Sequence, residues 1–490
     1  MLGAGVHMFV QVGTLAVLGR LLTPEDFGVV AAALVAVNFS AIFAQLGVNQ
    51  ALIQRKTLTE RTSGTTFLIT VGLGSLLSLG LALLAPAIAR GLALDALAPV
   101  LRALSVIFVV RAIGSTAEAL MARSLRFRAI ALLDVVSYAL GHGAVGVTLA
   151  LLGFGYWSLV AAHLAQALVK SALALAAQPH GLRPDLEPTL VRELLTFGGG
   201  LSLARIANFV ALQADNLVVT RQLGAAAVGA YSRAYQLMGM PAGLIGNALD
   251  RVLFPVFAQQ QTNLAALRGA YLRGTALIAL ACMPAGVIAS AVAPELVRLV
   301  LGGQWTAVIL PFQVFSLTLV FRVGDRLNAV TARAVGAVYR RALLQAGYAV
   351  AVIVLATVGA RYGLQGVAIG VAAALVSNHL LGTLLALRLV GGSAQAAVQA
   401  CLRAVPLTAL VAAAALLGAW PGRALSWPPA AVLAGSILLV TTVSLAALWY
   451  LPRMAVGPDA SWFAAMAREL VPARTPGLRR WIERVERAAP

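Results

Sequence analysis

The fold that this sequence predicts is an all-α integral membrane protein of about fourteen transmembrane helices, set out as two six-helix lobes and two accessory helices. Three observations lead there. Apolar residues make up 60% of the 490 and charged ones 11%, with a mean hydropathy of +0.90, too little polar surface to cover a soluble globule of this length. The apolar runs are long and unbroken, near the roughly 20 residues that a helix needs to cross a bilayer, and lack the dyad alternation of a barrel strand. Finally, Arg221-Gln-Leu-Gly-Ala-Ala-Ala-Val-Gly229 repeats the spacing of Arg20-Leu-Leu-Thr-Pro-Glu-Asp-Phe-Gly28, so the chain starts again near its middle.

Apolar periodicity places spans at 2–22, 28–47, 64–86, 100–121, 130–152, 157–177, 196–218, 229–257, 270–292, 306–331, 341–360, 364–387, 403–420 and 429–451. Helices satisfy their own backbone inside hydrocarbon, which is why they are expected over strands. An even number of spans puts both termini on one side. If that side is the cytoplasm, most of the loop arginines and lysines lie inside, as the positive-inside rule requires. The net charge of +19 is thereby explained by topology, and a nucleic-acid partner is unnecessary.

The first span ends at Arg20, and Thr23-Pro-Glu-Asp-Phe-Gly28 carries helix-start chemistry: Pro at a first helical position, then acids in the first turn. After the second span, Asn49-Gln-Ala-Leu-Ile-Gln-Arg-Lys-Thr57 reads as a short amphipathic piece at the inner headgroups. Arg111 and Glu118 share one face of the fourth span, seven residues apart. In the fifth, Asp134, Tyr138 and His142 form a polar stripe at four-residue steps, and Lys170 in the sixth lies within snorkelling reach of the inner surface.

From Gln178 to Leu195 the hydropathy drops, and Pro179, Gly181, Pro184 and Pro188 break any span. We therefore read residues 1–177 as an N-terminal lobe, 178–195 as a cytoplasmic linker and 196–390 as a C-terminal lobe. Residues 391–451 hold accessory helices 13 and 14, and 452–490 an amphipathic cytoplasmic tail whose Leu478, Trp481, Ile482 and Val485 oppose arginines. Two further echoes support duplication: Ala332-Arg333 with Ala342-Leu-Leu against Ala122-Arg123 with Ala131-Leu-Leu, and Tyr362-Gly363 against Phe154-Gly155. Copies of six spans share topology, so their symmetry axis should run along the membrane normal.

Enzymatic chemistry lacks its usual signatures. There is no Walker A pattern, no Gly-x-Ser-x-Gly elbow and no closely spaced His/Cys set, so no cofactor or metal is expected. Cys282 and Cys401 read as small apolar residues. Asn38-Phe-Ser40 matches a glycosylation acceptor but lies inside a span, and the first span has neither a basic region ahead of it nor a cleavage site. Lys supplies only two of the 36 basic side chains, a bias that points to a GC-rich bacterial genome.

What remains is a set of ionisable residues within spans, each costing about 2.5–3.5 kcal/mol at mid-bilayer on insertion scales. They should therefore face a shared interior. Arg322 and Asp325 stand at i,i+3, where they can pair. Arg251 and Arg326 sit toward inner ends, where snorkelling or pairing competes with ligand contact. Arg111 and Arg205 are deeper and suit a cavity that receives an anionic head group, since guanidinium forks match phosphate oxygens. Arg111, Arg205, Arg251, Arg322 and Arg326 are the candidate substrate-binding residues. Asp215 and Asp134 are the candidates for ion or proton coupling, because burial and neighbouring arginines move an acid's protonation in opposite senses.

The segments Gly19-Arg-Leu-Leu-Thr-Pro-Glu-Asp-Phe-Gly28, Ala51-Leu-Ile-Gln-Arg55 and Asp215-Asn-Leu-Val-Val-Thr-Arg-Gln-Leu-Gly224 with Gly229-Ala-Tyr231 resemble the Wzx-type polysaccharide flippases, the polysaccharide branch of the multidrug/oligosaccharidyl-lipid/polysaccharide (MOP) exporter superfamily. The resemblance implies two lobes around a central cavity, in a bacterial inner-membrane protein with cytoplasmic termini. It further implies alternating access that carries an undecaprenyl-diphosphate-linked oligosaccharide from the inner to the outer leaflet. Membrane lipids, a polysaccharide polymerase and a chain-length regulator are the partners it implies, and Asp215 falls on the acidic position that opens the second lobe. Relatives often carry a basic segment before the first helix, and this chain enters that helix almost at once. A drug or lipid II exporter would share the fold, though a basic cavity repels cationic drugs. A membrane glycosyltransferase or polymerase would need clustered carboxylates at a membrane face or a large outer domain. A non-transporting scaffold would tolerate neutral Arg111 and Arg205.

Overall fold

The computed structural model describes residues 2–44, 49, 52–53, 60–179, 188–259 and 263–450; among the helical residues, side chains are not described at 2–4, 44, 60, 188–208, 211, 244–245, 247–256, 258–259, 448 and 450. The amphipathic tail, residues 180–187 of the linker and most of the Asn49–Thr57 piece lie outside the described residues, and the linker from Pro188 onward is helical. Within them the chain is helical with no strand, and every span placed from the sequence overlaps a helix. Ten of these helices have the length and apolarity to cross a membrane, or eleven if the pair 303–334, bent by 45°, counts as one span.

The chain divides into two compact units. The first comprises residues 1–233, 300–307 and 352–367. It contains α1 (Leu2–Leu21), α2 (Pro24–Ala44), α3 (Glu60–Leu92), α4 (Leu97–Ser105), α5 (Ile107–Arg123) and α6 (Phe127–Tyr138). A π-helical segment, Ala139–Gly146, continues α6 into α7 (Val147–Leu151), and α8 (Tyr156–Ala177) follows. Here α3 packs on α4 and α5, α5 on α8, α8 on the π segment and α1 on α6.

The start of α2 shows why its residues fold as they do. Thr23 N donates to Asp26 Oδ2 at 2.9 Å and Asp26 N to Thr23 Oγ1 at 3.2 Å, a reciprocal cap ahead of Pro24 that satisfies two otherwise orphaned donors. Glu25 and Asp26 also complement the positive end of the helix.

The helical segment α9 (Pro188–Gln259) breaks at Gly224 (φ 82°, ψ −175°), a conformation that only glycine adopts cheaply. The other echoes have equivalent backbones too. Gly155 and Gly363 both take positive φ, 53° and 74°, at the turn into a helix. Arg123 and Arg333 both lie in the last turn of a helix followed by a positive-φ residue, Leu125 and Gly336.

The second unit comprises residues 234–299, 308–351 and 368–490. Its described helices include α10 (Leu264–Ala291), α11 (Ala293–Val300), α12 (Thr306–Leu317, which begins in the first unit) and α13 (Leu319–Ala334). They continue through α14 (Val338–Ala360) and α15 (Gly363–Val390), whose end and start respectively belong to the first unit, and through α16 (Ala394–Leu402), α17 (Val405–Ala424) and α18 (Pro429–Tyr450). The helix α10 packs on α13, α16 and α17, and α17 on α18. Arg423, in the last turn of α17, grips the buried Glu295 of α11 with two bonds, Nε–Oε1 at 2.7 Å and Nη2–Oε2 at 2.8 Å. Its Nη2 also donates to Ala291 O at 2.7 Å. The accessory helices, uncharged over 403–420 except at Arg403, are thus tied to the second unit through one arginine just past that stretch.

Candidate functional site

Within the first unit, α2, α3, α5, α6 and α8 surround a cavity of about 630 Å³. Arg111, Glu118, Asp134, Gln166, Lys170 and Ser171 supply much of its polar lining. They reach it because each helix turns one face inward. Arg111 and Glu118 are two turns apart on α5, and Gln166 and Lys170 one turn apart on α8. Lys170 does not snorkel away: its Nζ lies 2.9 Å from Glu118 Oε2 and 2.9 Å from Asp134 Oδ1. Three helices thereby meet at one ammonium group.

Arg111 is exposed to this space and has no hydrogen-bond or ion-pair partner among the described residues. Among the described residues, two cations and two carboxylates face the cavity. With Lys170 occupied by both acids, Arg111 is the cation left to meet a ligand. The sequence reading set a cationic cavity between two six-helix halves; the cavity described lies inside the first unit, and its described lining carries two cations and two carboxylates.

The other predicted residues are distributed as follows. Asp215 is 3% exposed, accepts from Tyr231 OH at 2.8 Å and from Asn216 N at 2.8 Å, and so fastens together the two sides of the break at Gly224. Arg322 and Arg326 are half-buried on α13, one turn apart. The Arg322 guanidinium lies over the Tyr235 ring at 4.4 Å, a cation–π contact. Arg326 packs its guanidinium on Gly246, where any side chain would collide with it. Asp325, the residue expected to pair with Arg322, binds Arg341 of α14. A helix neighbour at i,i+3 is available, but Arg341 approaches in a part-buried setting that favours a charge-assisted bond. Arg205 and Arg251 lie among the residues whose side chains are not described. The structure thus brings Arg111 and Asp134 to one cavity, and Arg322 and Arg326 to one helix face. The offset of 211 between the Ala131 and Ala342 echoes makes Arg322 the counterpart of Arg111.

Sequence reasoning missed the structural role of the motif that carried the resemblance. Gly28 meets the Ala225 carbonyl so closely that a Cβ would sit 1.8 Å from its oxygen, and Gly229 meets the Pro24 carbonyl at the same 1.8 Å. The two echoes therefore cross each other reciprocally, each glycine lying where its counterpart's helix begins. Phe27 beside them has the Trp305 ring edge-on at 5.3 Å and the Arg233 guanidinium at 4.8 Å. Trp305 Nε1 and Gln304 Nε2 both donate to Gly19 O, at 2.7 and 2.8 Å. The signal was available: the same Gly at the same offset in both copies. Only a crossing explains why it must be Gly.

The sequence model of a family described as polysaccharide biosynthesis protein matches residues 17–310, more than half of the chain. The succinoglycan biosynthesis transport protein ExoT of Rhizobium meliloti (strain 1021) is 31% identical over 292 residues, covering 60% of this chain and 59% of that one. The lipopolysaccharide biosynthesis protein WzxC of Escherichia coli (strain K12) is 27% identical over 321 residues, 64% of each chain. The chain thus matches about three-fifths of the length of these curated relatives. Among solved structures, the lipid II flippase MurJ in an inward closed conformation aligns with a TM-score of 0.69 at 12% identity, over 96% of this chain and 99% of that one. An inward-facing multidrug resistance MATE transporter of the MOP superfamily aligns with a TM-score of 0.62 at 17% identity, over 79% and 94%. At these identities the likeness concerns the fold.

Proposed function

Because the chain belongs to the polysaccharide biosynthesis protein family, whose model spans residues 17–310, we propose that it is a flippase for a lipid-linked oligosaccharide. The cargo is a polyprenyl-diphosphate-linked oligosaccharide, moved from the inner to the outer leaflet of a bacterial cytoplasmic membrane for cell-surface polysaccharide synthesis. Transport is of the secondary type, by alternating access and coupled to an ion or proton. The observation that carries this reading is the cavity within the first unit, where Arg111 stands uncommitted beside the Lys170 triad.

The chemistry suits such a cargo. A free guanidinium offers two parallel N–H donors to diphosphate oxygens, while Gln166, Ser115, Ser171 and Thr70 offer neutral groups to sugar hydroxyls. A volume of about 630 Å³ lies within the range typical of ligand pockets. Arg322 on α13 is the counterpart contact in the second unit, and Arg205, Arg251 and Arg326 are further contacts for the same head group. Asp134 and Asp215 remain the carboxylates proposed for coupling. Membrane lipids surround the protein, and a polymerase and a chain-length regulator act on the flipped product.

A leaflet-flip assay in proteoliposomes, with a fluorescent polyprenyl-diphosphate sugar and with or without an imposed pH gradient, tests the reading. Protein-dependent flipping that falls at least tenfold in Arg111→Gln is expected. A rate equal to that of protein-free vesicles would overturn it. A lipid II exporter would share this fold, and the same assay with a lipid II analogue distinguishes the two cargoes.

A further inference from the structure

One turn from the cavity, the first unit holds a second polar cluster that neither the coupling carboxylates nor the cargo contacts use. The π-helical segment carries His142, 6% exposed, whose ring stacks on Tyr138 with centroids 4.5 Å apart and planes 7° from parallel. The His163 ring of α8 meets it edge-on at 4.6 Å. Gly141 allows that approach, since a Cβ there would fall 2.7 Å from Ala162 O. His7 of α1 stands against the far edge of Tyr138 at 5.5 Å, with its Nε2 2.9 Å from Gln11 Nε2. Arg233 faces the same cluster from α9.

Three polar atoms here are buried without a hydrogen-bond partner: His142 Nδ1, His7 Nδ1 and Arg233 Nε. Leaving such atoms unmet costs about 1–3 kcal/mol each, so their persistence points to use. π-Helical turns, costly by themselves, concentrate where function requires them. Among the described residues, the charged and titratable groups around the imidazole pair are His7 on α1, Arg111 on α5, Tyr138 on α6 and Arg233 on α9. Among the described residues, no carboxylate contacts the His142 or His163 ring.

Two one-turn steps connect the cluster to the cavity. His163 precedes the lining residue Gln166 by three residues on α8, and Tyr138 follows the lining residue Asp134 by four on α6, about 5–6 Å along each axis. Arg111 lies on α5, which packs on the α8 helix that carries His163, and it opens on the cavity.

We propose that His142 and His163 form a single shared proton-binding site, whose occupancy is linked through Arg111 to an anion in the adjacent cavity. Adjacent rings 4.6 Å apart cannot both hold a charge, because like charges at that distance oppose each other, so the pair takes one proton. An empty cavity leaves the Arg111 and Arg233 charges facing the pair, which disfavours that proton. A diphosphate on Arg111 neutralises the nearer charge and favours it. Proton and anion then bind cooperatively, and the effect is reciprocal. This rests on the flippase reading for its purpose, and on the cluster geometry alone for its existence.

The test follows the ring nitrogens of 15N-histidine-labelled full-length protein in lipid nanodiscs against pH, with inorganic pyrophosphate as the probe. His142→Gln and His163→Gln assign the resonances, and circular dichroism confirms that each variant retains its helices. We expect the two signals to move together through one protonation step. Pyrophosphate should raise the midpoint by about one pH unit, a tenfold change in proton affinity, and do nothing in Arg111→Gln. In His142→Gln the His163 midpoint should move away from the shared value. Should one variant fail to fold, the joint titration of the wild-type pair and its response to pyrophosphate decide. Independent titration of the two rings, or a midpoint indifferent to pyrophosphate, would overturn the proposal. A joint, probe-sensitive titration in a protein that flips no lipid would leave the proton site standing and remove the flippase reading.

Discussion

Substituting Gly28 by Ala asks what the crossing of the two echoes contributes. The new methyl would lie 1.8 Å from Ala225 O and 2.5 Å from its carbonyl carbon, whereas ordinary contact begins at 3.4 Å. The atoms met are backbone rather than the end of a flexible side chain, so α2 and the start of the helix after Gly224 must separate. Overpacking of this kind costs about 1–3 kcal/mol, and the upper part of that range applies when no rotamer can yield. Loosening the crossing also disturbs Phe27, Trp305 and the bonds that fix Gly19 O. The internal control is Gly72→Ala, in the lipid-exposed middle of α3 with nothing within 4 Å, where Ala should stabilise by about 0.5–1 kcal/mol. Thermal unfolding of purified protein in one detergent should place Gly28→Ala several degrees below wild type and Gly72→Ala at or above it. Gly229→Ala should behave like Gly28→Ala, and the double variant should lose less than the sum, since one widening accommodates both methyls. Gly28→Ala melting together with Gly72→Ala would refute the close crossing.

Other outcomes are equally checkable. Arg423→Ala leaves the buried Glu295 carboxylate without its bidentate partner and should destabilise by about 1–3 kcal/mol in thermal unfolding; the added Glu295→Gln should recover part of that loss. Tyr231→Phe removes the hydroxyl donated to Asp215 and should cost about 1.5–3 kcal/mol, the range for a bond to a charged group, whereas Tyr362→Phe, on an exposed ring, should be silent in the same measurement. Lys170→Ala releases two carboxylates into the cavity, so flipping should fall at least tenfold, and Glu118→Gln added to it should restore part of the rate; an unchanged rate in Lys170→Ala would show that this cavity is not on the path.

Much of the fold was legible because hydrocarbon imposes a one-dimensional rule. Each span must be long, apolar and internally hydrogen-bonded, and nothing distant is needed to see it. The echoes were legible for the same reason, since Gly155 and Gly363 or Gly28 and Gly229 hold local positions in their helices. The site was legible in part. Arg111 and Glu118 on one face is a statement about periodicity, and they do share a cavity. That Lys170 would stand between Glu118 and Asp134, or that Asp325 would bind Arg341 of the next helix, depends on which helix faces which, and no spacing within a helix encodes that.

The sequence by itself therefore determined the class of protein and the helices on which its apolar runs fall, because each is set by the local cost of taking backbone and charge out of water. The tertiary structure alone decided the partners: glycines that face carbonyls across a crossing, one lysine shared by two acids, one arginine left uncommitted, and a stacked Tyr138–His142 pair meeting His163 edge-on. These depend on close approach between segments far apart in the chain. Contact of that kind is a property of how helices pack, and the order of residues along any one of them does not contain it.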